Sequence, residues 1–511
     1  MPNMIESSEN KRIAKNTAYL YVRMFFALII NLYTSRVILN ALGVEDFGVF
    51  NVVAGFVSLF GFFNATLSTS VQRFYNYEES KNGKEGFTNV YVTSFVIHLV
   101  MTAVLAVLLE TVGLWYVNDV MVLPEYRLRA ANILFQTTVV SMLLMVLQIP
   151  YVGAVMAKEN MDFYAVVSIL DLVLKLGAAI AVAHFECDGL ILYGVLLAAV
   201  SVIDILLYVS YSLRHFPEMR FSRSFDKAML KSILSFSGWN LTGTFAFMLK
   251  GQGVNMLLNY FFGPAVNAAR GISYQVNGAV SNFTSAIYTA FNPQVTKSYA
   301  EGNISRTMKI MFTESKICFS LIAILIVPVI LEMDYLLHLW LGDVVPENTG
   351  IFASLVLIDT LICTLNTPCT QAVFATGRIK NYQIFSSLVN VSLIPLVWVM
   401  LRYGASATSA FVVTIIVSVL NQVVCLCVTN MEYHFGIGNY TRQILLRISA
   451  LAIMLPLAPC LLHFLMPVSF WRVLIVSLAS AVFGLFIVYY VVLCKGERDM
   501  ALLFVKSKIC K

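Results

Sequence analysis

The sequence predicts an all-α integral membrane protein of about 14 transmembrane helices, built as two parallel six-helix lobes with two further helices at the C-terminus. Three observations carry that expectation: a composition poor in charge, a regular succession of apolar runs, and a pattern that returns after about 220 residues. Of the 511 residues, 59% are apolar and only 12% charged, and the mean hydropathy is +0.79. Water-soluble domains carry about 25% charged residues. A surface of this size therefore lacks the charge to face water, and most of it must face lipid. The net charge of +6 matters less than where the charges fall, and nucleic acid is not an expected partner. The nine cysteines form no C-x-x-C pair and no His-rich metal spacing, so they read as free thiols in apolar helices, and neither metal nor other cofactor is expected. No GxxxxGK[ST] stretch occurs, which argues against direct ATP-driven transport.

The polar stretch 1–15 holds Lys11, Arg12 and Lys15 and passes straight into an apolar run without a small-residue cleavage site, which reads as a retained first span. A bilayer core is crossed by about 20 apolar residues. Segments of that kind fall at 16–38, 49–72, 88–109, 129–156, 164–184, 190–211, 232–260, 270–292, 308–331, 350–375, 382–401, 406–430, 444–465 and 472–494, here spans 1 to 14. The connections are short, which argues for a helical body without a large extramembrane domain. Cytoplasmic connections hold the excess of Lys and Arg. With the N-terminus inside, basic residues gather before span 1 and on alternate loops. Only Arg127, Arg129, Arg270, Arg402 and Arg472 then fall outside, while Arg23, Arg36, Lys175, Lys250 and Lys316 fall within spans. Both termini are predicted to be cytoplasmic.

Spans 1 and 2 match spans 7 and 8 in pattern at a shift of 219 or 220 residues, which sets Gly43 opposite Gly263 in two external turns. On span 8, Arg270, Tyr274, Asn277, Ser281, Ser285, Tyr288 and Asn292 recur every three or four residues and share one helix face. The equivalent positions of span 2 run from Asn51 through Ser58, Thr66 and Thr69 to Arg73. A shift of six spans keeps the orientation, so the copies are parallel repeats, the kind that builds transporters with a substrate site between halves. The expected division is an N-terminal lobe at 1–211, a basic cytoplasmic linker at 212–231, a C-terminal lobe at 232–430, and two extra helices with a cytoplasmic tail at 431–511.

An ionisable side chain at mid-bilayer costs about 2.5 to 3.5 kcal/mol on insertion scales, so each one calls for a reason. Arg23 shares a face of span 1 with Asn16, Asn31 and Thr34. It either looks into a water-filled cleft or snorkels to the inner headgroups. Arg36 lies on the opposite face, with Glu45 and Asp46 as nearby ion-pair partners. Lys250 borders the stripe Asn240, Thr244, Gly251 and Asn255 of span 7, and Arg270 opens the span 8 stripe at the external mouth. Asp171 and Lys175 are an i, i+4 pair in the favourable order, either self-neutralising or a coupling site whose ionisation changes during transport. Asp204 and Asp359 are lone acids expected to bond neighbouring hydroxyls or amides, Asp359 being also a coupling candidate, and His98 reads as structural.

Short motifs then suggest a family. Asn16 and Thr17, the turn Leu42 to Gly48, the segment Leu337 to Gly342, and Ala375 to Gln383 resemble the polysaccharide and O-antigen flippases of the multidrug/oligosaccharidyl-lipid/polysaccharide exporter superfamily, over essentially the whole chain. The resemblance implies a bundle with a V-shaped central cleft, of the kind of the multidrug exporters in the superfamily, working by alternating access on a polyprenyl-diphosphate-linked oligosaccharide in the bacterial cytoplasmic membrane. Its partners would be that anionic lipid-linked substrate, membrane lipids and other polysaccharide assembly proteins. Spans 1, 2, 7 and 8 contain Arg23, Arg36, Lys250 and Arg270 but no acid. Arginine binds phosphate through paired N–H bonds, so an anionic cargo fits, with Arg23, Asn31, Lys250, Arg270, Asn277 and Ser281 as the expected substrate contacts. A cation- or proton-coupled drug antiporter is disfavoured by the missing acids. A membrane-embedded glycosyltransferase or polymerase would need clustered acids or histidines at an interface, and the external stretch 110–128 has only Glu110, Asp119 and Glu125.

Orientation is tested by single cysteines in a background without native thiols. Positions Asn82 and Asn303 should be shielded from an impermeant thiol reagent in intact cells, and Glu347 should react; labelling at Asn82 from outside overturns the topology.

Overall fold

Inside hydrocarbon no water satisfies a peptide group, so a crossing chain must bond its N–H and C=O within its own segment, and a helix does so. The computed structural model of the chain describes the backbone of residues 2–220 and 227–498, and side chains from residue 23 onward except those of 63–66, 69, 221–228, 231–242, 286 and 290. The side chains of Asn16, Thr66, Thr69 and Asn240, and the tail 499–511, lie outside the described residues, as does part of the expected linker. Among the described residues all regular structure is helical, and eleven helical runs are long and apolar enough to cross a membrane.

Two of those runs contain a break that separates two expected spans. Pro2–Ser58 is interrupted at Gly43 (φ 74°, ψ 173°) and the run from Phe62–Leu108 at Gly83 (φ 59°, ψ −141°), values that a Cβ disfavours. Lys227–Phe262 and Pro264–Ala300 carry spans 7 and 8. The fourteen expected spans thus all fall on helical segments, span 2 running through a short 3-10 turn at Leu59–Gly61. Gly263, the glycine paired with Gly43 by the sequence shift, also has a positive φ, 76°. Span 13 is a composite, with a wide turn at Thr441–Leu445 and a break after Met454 before Leu457–Leu465.

The chain divides into two compact units, Met1–Gly271 and Ile272–Lys511. In the first, Met161–His184 packs along span 1, Leu128–Ala157 packs between spans 3 and 6, and span 7 packs on span 2. Two aromatic cores hold it. One stacks Phe56 on Tyr116 with centroids 4.6 Å apart, and the other stacks Tyr75 on Phe87 at 4.3 Å. The first turn of span 8 meets span 2 so closely that a Cβ at Gly48 would run into the Pro264 carbonyl. Asp46, expected beside Arg36, is instead bound by Arg127, whose Nε donates to it at 2.6 Å and whose Nη1 reaches Asp188 at 2.7 Å. That pairing joins positions far apart in sequence, so local spacing gives no sign of it.

In the second unit, spans 13 and 14 pack on span 9, around a core that includes Phe312, Phe435 and Tyr440. Glu332, fully buried at the end of span 9, accepts from Nε and Nη2 of Arg472 at 3.0 and 2.6 Å, and His463 Nδ1 lies 2.8 Å from its other oxygen. Arg472 is therefore a buried clamp of spans 13 and 14 onto span 9. Removing one partner of a buried ion pair costs about 3 to 5 kcal/mol. Arg472→Met should lower the melting temperature of the purified protein sharply, and Glu332→Gln with Arg472→Met together should recover part of the loss; a melting curve unchanged by Arg472→Met refutes the clamp.

Candidate functional site

A cavity of about 760 Å³ opens within the first unit, lined by spans 1, 2, 4, 5 and 6 with Met248 of span 7 at its edge. Arg23 and Asn31, eight residues apart on span 1, both line it, as the helical wheel requires. The Arg23 guanidinium carbon stands 4.9 Å from the centroid of the Tyr164 ring, and its Nε has no hydrogen-bond partner among the described residues. A cation over an aromatic face is held electrostatically while its N–H groups stay available. Arg23 therefore lines a cavity, a position compatible with the cleft reading.

Opposite it, Lys175 binds Asp171 at 2.8 Å, the expected i, i+4 pair, and both line the cavity. Asp204 of span 6 lines it too, beside the Asp171 carboxyl. Sequence reading took Asp204 for a lone acid; the structure sets it next to a second one, because the facing surfaces of spans 5 and 6 coincide. Tyr208 stands within electrostatic reach of both Arg23 and Asp204, and near the Ser168 hydroxyl. Gln148, Thr138 and Ser201 add neutral donors and acceptors. Acids therefore do reach the cavity, from spans 5 and 6, although spans 1, 2, 7 and 8 contribute none. Tyr164 and Gln148 are polar lining residues that the sequence did not mark, and a helical wheel of spans 4 and 5 drawn against a known partner would be needed to find them.

The other expected contacts lie elsewhere. Lys250 is half-buried on span 7 and does not line this cavity. Arg270 is 5% exposed, with Nη2 donating to the Gly251 carbonyl at 2.7 Å. It belongs to a polar seam that joins spans 2, 7 and 8. Asn255 Nδ2 donates to the Asn51 carbonyl at 3.2 Å, and Asn267 Nδ2 donates to both the backbone and the side-chain oxygen of Asn255 at 2.8 Å. Asn259 accepts from the Val122 N–H at 3.0 Å and donates to its carbonyl at 3.2 Å, tying the external stretch to span 7. A Cβ at Gly55 would meet Asn255 and Gln252, and one at Gly271 would meet Asn51. Small residues let these amides reach backbone.

In the second unit the span 8 stripe divides. Asn277 Oδ1 accepts from Thr360 Oγ1 at 2.5 Å, with Ser281 Oγ 3.5 Å away, and the Tyr288 hydroxyl donates to the Thr364 carbonyl at 3.2 Å. This half of the stripe packs on span 10, whereas Tyr274, Ser285 and Asn292 are exposed. Asp359 is half-buried on span 10 and does not line the cavity that holds Asp171 and Lys175. His98 is fully buried, with Nδ1 2.6 Å from the Ser94 carbonyl.

Solved structures share this architecture. The chain is similar to a lipid II flippase, MurJ, in an inward closed conformation, with TM-score 0.70 and 13% identity over 91% of this chain and 97% of that one. It is also similar to an inward-facing multidrug resistance MATE family transporter of the MOP superfamily, with TM-score 0.67 and 13% identity over 82% and 98%. A third is a MOP superfamily transporter from Pyrococcus furiosus described by the reverse polarity of its binding pocket, with TM-score 0.53 and 14% identity over 83% and 96%. No family model and no curated protein matches the sequence. At these identities the likeness shows the fold. The chain is a multi-pass membrane protein with the helical architecture of the MOP superfamily transporters.

The acid and base lining the cavity are expected to act together. Contacting residues typically show coupling energies of about 0.5 to 3 kcal/mol, and the Asp171 and Lys175 side chains, at 22% and 42% exposed, belong at the low end. In a double-mutant cycle of thermal stability, Lys175→Met should be less damaging in an Asp171→Asn background than alone. Strict additivity removes the interaction.

Proposed function

We propose that the protein is a transporter rather than an enzyme, and that it moves a polyprenyl-diphosphate-linked oligosaccharide, an O-antigen, capsule or exopolysaccharide unit, across the bacterial cytoplasmic membrane by alternating access. The observation that carries this reading is Arg23, a guanidinium held over an aromatic face in the wall of a large cavity. A guanidinium in that state suits a diphosphate through paired hydrogen bonds, and the hydroxyl and amide groups around it suit a glycan. The shared fold with a lipid II flippase supports a lipid-linked cargo. Asn31, Lys250, Arg270, Asn277 and Ser281 complete the proposed substrate contacts; of these, Asn31 shares the Arg23 cavity. Asp171 with Lys175, and Asp359, are the proposed coupling groups. The proposed lobes are 1–211 and 232–430, joined by 212–231 and followed by 431–511, with both termini cytoplasmic. Membrane lipids and other polysaccharide assembly proteins are the proposed partners.

A second reading has its own support. Asp171 and Asp204 line the same cavity, and paired acids suit an organic cation, as in a cation- or proton-coupled multidrug antiporter. The fold shared with a multidrug resistance transporter is compatible with it.

Export of surface glycan normalised to protein level separates the two. A charge-assisted hydrogen bond contributes about 1.5 to 3 kcal/mol, so Arg23→Ala should reduce export at least tenfold at unchanged abundance, and Arg23→Lys should keep part of it. Arg270→Ala should lower abundance as well as export, since its guanidinium ties span 8 to span 7. Normal export by Arg23→Ala, together with loss of drug efflux in Asp204→Asn, would overturn the flippase reading in favour of the antiporter.

A further inference from the structure

Glu314 lies near the middle of the span 9 helix Ile304–Leu331 and is fully buried, and no protein group among the described residues donates to either oxygen of its carboxyl. The apparent partner in sequence, Lys316, projects about 200° away around the helix, because residues two apart do not face each other. Lys316 is bound instead by Glu497, which follows span 14, with Nζ at 2.6 and 2.5 Å from its two oxygens. Glu497 also accepts from Thr313 Oγ1 and the Cys494 N–H, each at 2.8 Å. Nothing of that ion pair remains for Glu314.

The titratable groups that face Glu314 are Cys318, one turn along its own helix, and Tyr288 from span 8. From span 10, Cys363 stands beside Tyr288; from span 13, Tyr440 faces the neighbouring Ser315. From the end of span 14, Glu497 is neutralised by Lys316. Among the described residues, none of the groups that face Glu314 is cationic. An ionised carboxylate buried without a counter-charge is far costlier than the neutral acid. A hard metal cation would need a shell of oxygen ligands, and the nearest neighbours are a thiol and a phenol. A proton needs no shell.

We propose that Glu314 is a proton-binding site of the second unit. Its carboxyl holds the proton in the arrangement described here and releases it when span 9 shifts enough for water to enter. The acid O–H bond then breaks, the electron pair stays on the carboxylate, and the proton passes to water. Intramembrane ionisable groups of this kind mark proton relays. The coupling role rests on the transporter reading above; proton binding itself does not.

Infrared spectroscopy of the purified full-length protein at neutral pH reads the carboxylic acid C=O stretch directly. Wild type should show an acid band that Glu314→Gln lacks, while Asp171→Asn and Asp204→Asn retain it. Glutamine is a neutral isostere, and Glu314→Asp, which keeps an acid but shifts its band, serves if the glutamine variant does not fold. Identical acid regions in wild type and both Glu314 variants overturn the proposal. In cells, glycan export by Glu314→Gln should fall at least tenfold at equal abundance, with Glu314→Asp retaining part. Full export by Glu314→Gln with the band present in wild type removes the coupling role. If the cargo is not a glycan, export is silent in wild type as well, and the infrared result still decides the proton site.

Discussion

Every feature of this chain follows from one constraint, that a peptide group in hydrocarbon must find its hydrogen bond within its own segment or from a deliberately placed side chain. Helices satisfy it, and the chain departs from helix where a glycine tolerates a left-handed backbone, as at Gly43, Gly83 and Gly263. Polar side chains follow the same rule. The amides of Asn51, Asn255, Asn259 and Asn267 are spent largely on backbone, and they fasten spans 2, 7 and 8 and the external stretch at Val122 into the first unit. Charges obey it as well, in the Asp46, Arg127 and Asp188 cluster and in the Glu332 and Arg472 clamp.

Against that background, the charges that are not fully satisfied stand out. Arg23 keeps an unused Nε at the wall of the first unit's cavity, and Glu314 keeps two unbonded oxygens in the second. Lys316 and Arg472 are neutralised by carboxylates, whereas Arg23 lies over an aromatic ring and Glu314 has no donor among the described residues. The cavity is of mixed polarity, with Arg23 and Lys175 beside Asp171 and Asp204, and both the Arg23 Nε and an Asp204 oxygen lack a hydrogen-bond partner among the described residues.

Much of this was legible in the sequence. The run of fourteen spans, the turn at Gly43 with its counterpart at Gly263, the shared face of Arg23 and Asn31, and the Asp171 and Lys175 pair all follow from local periodicity, which helices transmit faithfully. What failed did so because it depended on helix partners. Asp204 looked solitary because its neighbour sits on another span. The partners of Arg270 and Arg472, the Gly251 carbonyl and the Glu332 carboxylate, likewise sit on other helices. Arg36 was offered Asp46, which Arg127 takes from 81 residues away. Glu314 went unmarked because its lack of a partner is a property of the packed helices around it, which local spacing does not show.

The polar stripe of Pro264–Ala300 bears on how the protein is made. This helix is absent from the eleven described runs apolar enough to cross a membrane unaided, and between Arg270 and Asn292 it carries Gln275, Asn277 and Asn282. An insertion machinery that partitions each emerging segment by hydropathy would not leave it in the bilayer on its own account. Its first turns are received instead by the asparagines and glycines of spans 2 and 7, so neighbouring helices supply the partners that its own composition would otherwise seek in water.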